Sequence, residues 1–123
     1  MADKLIPASA LYVRSHIADE ALPANRFVKL VTATAHVVFA DQGEAGVGVT
    51  RDGYDSGNLA DIIHIGAAYV DCSENVDCGV SVCAENDGKA MPATTGDFVL
   101  GVALTAGSTS VPALILLSHG GIF

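Results

Sequence analysis

The residues of this chain best equipped for chemistry are three thiols and four imidazoles. Cys72, Cys78 and Cys83 are spaced six and five residues apart, not in the two-residue-gap pairs that close a zinc knuckle. His16, His36, His64 and His119 fall in four separate segments. A nucleophile–base pair such as Cys78 with His64 has no local support and would have to be assembled by the fold. Gly46-Val47-Gly48 looks like the start of a dinucleotide loop, but Arg51 stands where the third glycine belongs, and no helical pattern follows to receive a phosphate. Asp71-Cys72-Ser73-Glu74-Asn75-Val76-Asp77 sets oxygen ligands at alternate positions. Val76, however, takes the place of the EF-hand glycine and Val82 that of its closing glutamate, so the segment reads as a hydrated acidic turn. Ser118-His119-Gly120-Gly121 reads as a flexible tail without a nucleophile elbow. The residues therefore nominate no catalytic, cofactor-binding or metal site, and no cofactor.

The elements that would position these groups are short strands. Residues 26–31 and 36–39 are β-branched and aromatic, and residues 46–50 alternate glycine with valine. Residues 61–65 form a strand that resumes past Gly66 with Ala68-Tyr69-Val70. Residues 79–84 alternate, and Asn86-Asp87-Gly88-Lys89 is the strongest hairpin turn, because Asp-Gly readily takes positive φ. Residues 98–105 and 113–117 complete the set. On this pattern Cys83 shares a face with Ser81, exposed or at an interface, and His64 points away from Ile63 and Ile65 toward solvent or a subunit. Strands at this spacing predict an antiparallel barrel or sandwich rather than a βαβ layout. Residues 1–25 read as an N-terminal arm ahead of a β domain over 26–123. Residues 9–22 suit a helix capped by Ser9, with Val13, Ile17 and Ala21 in a stripe. They suit an extended arm equally, since Leu11, Val13, Ser15 and Ile17 alternate.

Composition narrows the partners. The 123 residues carry 6 basic against 14 acidic side chains, a net charge of −8, so a phosphate-neutralising stripe is not expected and nucleic acid is disfavoured. With 50% hydrophobic and 16% charged residues the chain has the means to fold. No apolar run approaches the 18 or so residues of a membrane helix, and Met1-Ala2-Asp3-Lys4 does not begin a secretory leader. Three cysteines, an odd number, favour reduced thiols in a cytosol.

A weak internal repeat is also visible. Ala45-Gly46-Val47-Gly48-Val49-Thr50 resembles Leu100-Gly101-Val102-Ala103-Leu104-Thr105, and each leads through a turn into an apolar strand. Two related β units would account for it.

The stretch from Asp71 to Leu117 carries a family resemblance. Gly79-Val80-Ser81-Val82-Cys83 is followed by Asp87-Gly88-Lys89-Ala90-Met91-Pro92-Ala93-Thr94. Then come Gly96-Asp97-Phe98-Val99-Leu100-Gly101-Val102-Ala103-Leu104-Thr105-Ala106-Gly107 and Ala113-Leu114-Ile115-Leu116-Leu117. This order is similar to that of phage capsid cement, or head decoration, proteins. Phe27-Val28-Lys29-Leu30, Gly46-Val47-Gly48-Val49 and Ala60-Asp61-Ile62-Ile63-His64-Ile65-Gly66 look like that family's upstream copy. The likeness spans residues 24–121. It departs from the family where Ser108-Thr109-Ser110 leads into Pro112 in place of an Ala-Gly-Glu-like turn.

The resemblance implies a non-enzymatic virion protein that binds the outer surface of an icosahedral shell as a homo-oligomer, commonly a trimer. It would clamp major capsid protein subunits after assembly in a bacterial cytoplasm. The arm would then lie across a neighbouring subunit, and deleting residues 2–22 would leave a folded oligomer that no longer decorates shells. Two other readings stay open. One is a β-barrel ligand module whose cavity is lined by Phe27, Phe39, Tyr54, Tyr69 and Phe98. The other is a small hydrolase using Cys78 or Cys72.

Overall fold

The computed structural model describes residues 9–118 and 121–123. Nine strands follow one another: β1 Ser9–Ile17, β2 Phe27–Leu30, β3 Val37–Phe39, β4 Gly48–Thr50, β5 Leu59–Val70, β6 Ser81–Ala84, β7 Ala90–Pro92, β8 Gly101–Ala103 and β9 Ala113–Leu117. They form one sheet in the order β3-β2-β4-β5-β9-β8-β6-β7, every ladder between them antiparallel. β1 lies on the other edge of β5, since Ala67 pairs with Ser9 on one side and Leu116 on the other. The chain is all-β and barrel-like.

Local chemistry accounts for most of this. Isoleucines at 62, 63 and 65 favour the extended backbone of β5, which runs through Gly66 without a break. The turn between β6 and β7 places Asp87 at φ 64° and Gly88 at φ 72°, and the Glu85 carboxylate accepts from the Asn86 amide. β7 is not among the strands read from the sequence, and it ends on Pro92 opposite Val82. A proline has no amide to give a further neighbour, and β7 is an end strand of the sheet.

Residues 9–17 are extended, not helical. β1 runs antiparallel to β5 from Ser9↔Ala67 to Ile17↔Leu59. The chain then turns inward, and Ala18 and Leu22 are buried among Val28, Val37, Ala60 and Ile62. These residues are part of the domain's core, so deleting 2–22 would strip it. A folded remnant is therefore not expected of that deletion. The tail reading changes as well. His119 and Gly120 lie outside the described residues, but Gly121–Phe123 return along the chain: Val99 donates to the Gly121 carbonyl and Phe123 to that of Asp97.

The duplication is real in the backbone. Val28 pairs with Phe39 and Gly48; Val82, 54 residues on, pairs with Pro92 and Gly101. Val49↔Ile63 in one unit matches Val102↔Leu116 in the other, now 53 residues on, because the β6–β7 turn is one residue shorter than that between β2 and β3. Irregular contacts repeat too. The bridges Ala18↔Val37 and Leu22↔Tyr54 correspond to Cys72↔Ala90 and Val76↔Gly107. In the same register β1 on the first half of β5 matches the second half of β5 on β9, as Val13↔Ile63 matches Ala67↔Leu116. One unit is thus β1 to mid-β5, the other mid-β5 to β9.

This register differs by two residues from the one suggested by sequence, where Gly46 was set against Gly101. Gly48 is the true counterpart, for a steric reason. A Cβ at Gly48 would strike the Ile63 carbonyl and Ile62 Cγ2, and one at Gly101 would lie 2.5 Å from both the Leu116 carbonyl and Ile115 Cγ2. Both glycines let the fourth strand of a unit close onto the fifth. The cores match as well: Ala18, Leu22, Val28, Val37, Ala60 and Ile62 find their equivalents in Cys72, Val76, Val82, Ala90, Ala113 and Ile115 of the main cluster.

Candidate functional site

Each unit holds an acidic residue behind a left-handed glycine. Gly43 and Gly96 have φ of 73° and 94°. The following Glu44 and Asp97 accept from the backbone amides of Asp41 and Thr94 at 2.8 and 2.9 Å. Each also reaches the second strand of its unit, Glu44 to Lys29 Nζ at 2.8 Å and Asp97 to Cys83 Sγ at 3.4 Å. The Lys29 hydrogen bond holds the Glu44 carboxyl below the usual range, and the Thr94 backbone does the same for Asp97. These pairs stitch turns to strands. Nothing about them needs a substrate.

The thiols do not form a reactive centre. Cys83, expected on an exposed or interfacial face, is fully buried with Met91, Ala93 and Val99, because the turn after β7 covers that side of β6. Burial first, then the Asp97 carboxylate, push its thiol up to about 12. Burial also raises Cys72, which fills the core position held by Ala18 in the first unit. Cys78 is exposed and donates to the Leu104 carbonyl at 3.4 Å. Asp71 of the acidic segment pairs with Arg26 at 3.2 Å. Among the described residues no three His, Cys, Asp or Glu side chains gather as metal ligands.

The aromatics do not converge on a cavity. Phe27 lies in the main core and Phe98 is exposed. Phe39 and Tyr54 flank a shallow groove with Leu22, Pro23 and Arg26, whereas Tyr69 lines a separate crevice with Asn25 and Thr50.

The chemistry collects instead along the β1–β5 ribbon. His64 is half-buried, its Nδ1 donating to the Val47 carbonyl at 2.8 Å. Its Nε2 faces Nε2 of His16 at 3.0 Å, with ring centroids 5.1 Å apart, and the Tyr12 ring tilts over it at 5.6 Å. Burial lowers the His16 pKa, helped by His64 and Arg14, while a hydrogen bond with the Ala35 backbone opposes the shift. Sequence reasoning missed this pair because its members are 48 residues apart. The same ribbon exposes apolar side chains. Tyr12 pairs across to Ile65 and Ile17 to Leu59, and with Leu11 these make five of the twelve large exposed hydrophobics of the described residues. Scattered exposure is ordinary on a monomer, so the gathering of five on two paired strands makes this ribbon the candidate site.

No protein-family model matches the sequence, and no curated protein matches it. A solved structure does share the fold. The N base of the head fiber gp8.5 of bacteriophage phi29 superposes with a TM-score of 0.75 at 17% identity, covering 87% of this chain and 93% of that one. At that identity the match speaks for the architecture, all-β and antiparallel, rather than for any particular residue.

Proposed function

We propose that this chain is a non-enzymatic structural protein of a tailed-phage head, one that sits on the outer surface of the capsid and stabilises contacts between major capsid protein subunits. The observation that carries the reading is the fold shared with the phi29 head fiber base over 93% of that chain. The cement-protein resemblance of residues 24–121 points the same way on separate grounds. The β1–β5 ribbon supplies the adhesive surface: Leu11, Tyr12, Leu59 and Ile65 stand exposed on a rigid pair of strands. The net charge of −8 suits a basic partner surface and disfavours the packaged genome. A homotrimer at a three-fold position multiplies weak contacts into stable decoration, and closed symmetry keeps the edge strands from propagating.

Co-sedimentation with expanded phage heads tests this. The full chain pellets with shells and runs as an oligomer by native mass measurement, and Leu59→Asp with Ile65→Asp abolishes pelleting while the circular dichroism spectrum persists. A folded double variant that decorates heads as well as the parent would exclude the ribbon as the docking face. A parent chain that ignores the heads would exclude the whole reading.

A further inference from the structure

The duplicated architecture contains its own control for the histidine pair. In the register above, His16 corresponds to Val70 and His64 to Leu117: His16 lies opposite Ala60 just as Val70 lies opposite Ala113. The second unit fills the same place with two aliphatic side chains, Val70 buried in the main core and Leu117 packed against it. The fold therefore does not need polar groups there. The first unit puts two imidazoles in that place and leaves them half-open to solvent.

We propose that His16 and His64 form a binding site for a divalent transition ion of the zinc, nickel or copper class, which staples β1 to β5. The geometry fits. Two metal–nitrogen bonds of about 2.0–2.1 Å at angles between 90° and tetrahedral place their nitrogens about 2.9–3.4 Å apart, and the two Nε2 atoms are 3.0 Å apart. The Val47 carbonyl takes the Nδ1 proton of His64, which fixes the tautomer with Nε2 as the electron-pair donor, the usual outer-shell arrangement of a metal-bound histidine. His16 also serves a backbone group, that of Ala35. As the structure stands, one proton bridges the two Nε2 atoms. An ion takes the place of that bridging proton. Arg14 is near enough to oppose any cation. That disfavours calcium and magnesium, which rely on charge, and favours ions bound by imidazole donation. Water completes the coordination on the open side. The site does not depend on the capsid reading.

The test uses untagged full-length protein stripped with chelator, titrated with Zn²⁺ or Ni²⁺ alone by calorimetry and followed by thermal melting. One ion per chain is expected, with a melting temperature that climbs by a constant step for each tenfold rise in free metal. The His16→Val/His64→Leu double variant, which imports the pair of the second unit, should fold and bind at least tenfold more weakly. His16→Gln should also bind at least tenfold more weakly, and it serves if the double variant fails to fold. His36→Ala should bind like the parent, since its ring pairs with Asp19 rather than with either of the two histidines. Equal binding by the variants, or no metal-dependent shift in the parent at 1 mM ion, would overturn the proposal.

Discussion

Placing Gly48 and Gly101 at equivalent positions makes a quantitative prediction. Neither glycine has a positive φ, so substitution by alanine introduces no backbone strain and isolates the steric clash. At Gly101 the new methyl would lie 2.5 Å from the Leu116 carbonyl oxygen and from Ile115 Cγ2, about 1 Å inside ordinary contact. The oxygen belongs to the β8–β9 ladder and cannot retreat without loosening it. Relief must come from separation of the strands, and overpacking of this kind costs about 1–3 kcal/mol. At Gly48 the opposing groups are the Ile63 carbonyl and Ile62 Cγ2, so a similar loss is expected. For a domain of this length that lowers the melting temperature by roughly 5–15 °C. Gly53→Ala is the control, with nothing within 4 Å of its would-be Cβ. Urea unfolding gives the free energies, with an unchanged slope confirming that the unfolded state is not the cause. If Gly48→Ala or Gly101→Ala stays within about 0.5 kcal/mol of Gly53→Ala, the close approach of fourth and fifth strands is wrong, and with it the repeat register.

Other outcomes follow from the same contacts. Leu22→Ala empties a site 1% exposed in the first unit's core and should cost about 2–5 kcal/mol in urea unfolding; for the same reason a chain beginning after Leu22 should give no cooperative transition. In the native protein a neutral-pH thiol reagent should modify Cys78 fast and Cys83 only after unfolding, since the Cys83 thiol sits at about 12; equal rates would show that the turn after β7 does not cover it. Asp97 has its pKa lowered by folding, so its stabilising effect is complete above the unfolded carboxyl's value near 3.9 and fades as pH falls through the native one. Asp97→Asn should therefore flatten the acid limb of stability below about pH 4, read as urea midpoints across pH, and an unchanged limb would remove the carboxylate from that role.

Much of the sheet was legible because half-buried strands alternate and Asp-Gly turns announce themselves. β2, β3, β5, β6 and β9 fall where the residues place them. The N-terminal segment was not, since Val13, Ile17 and Ala21 satisfy a helix while Leu11, Val13 and Ser15 satisfy a strand. Only pairing with β5, some fifty residues away, decides between them. The repeat was visible, but its register was obscured by two candidate glycines, Gly46 and Gly48. A better signal was present: Gly43-Glu44 stands five residues ahead of Gly48-Val49, as Gly96-Asp97 stands five ahead of Gly101-Val102. Cys83 was misplaced because alternation along one strand gives sides, not which side the rest of the chain covers. The histidine ribbon had no local trace, being made wholly by tertiary register.

β5 has a mechanical consequence. Its twelve residues end one unit and begin the next, with no connecting segment between them. A beads-on-a-string duplication would allow the halves to swivel or melt separately. Here any bend must pass through β5 itself, which β1 pairs from Leu59 to Ala67 while β4 and then β9 take its other edge. The two units are thus parts of one continuous curled sheet, joined through a strand they share.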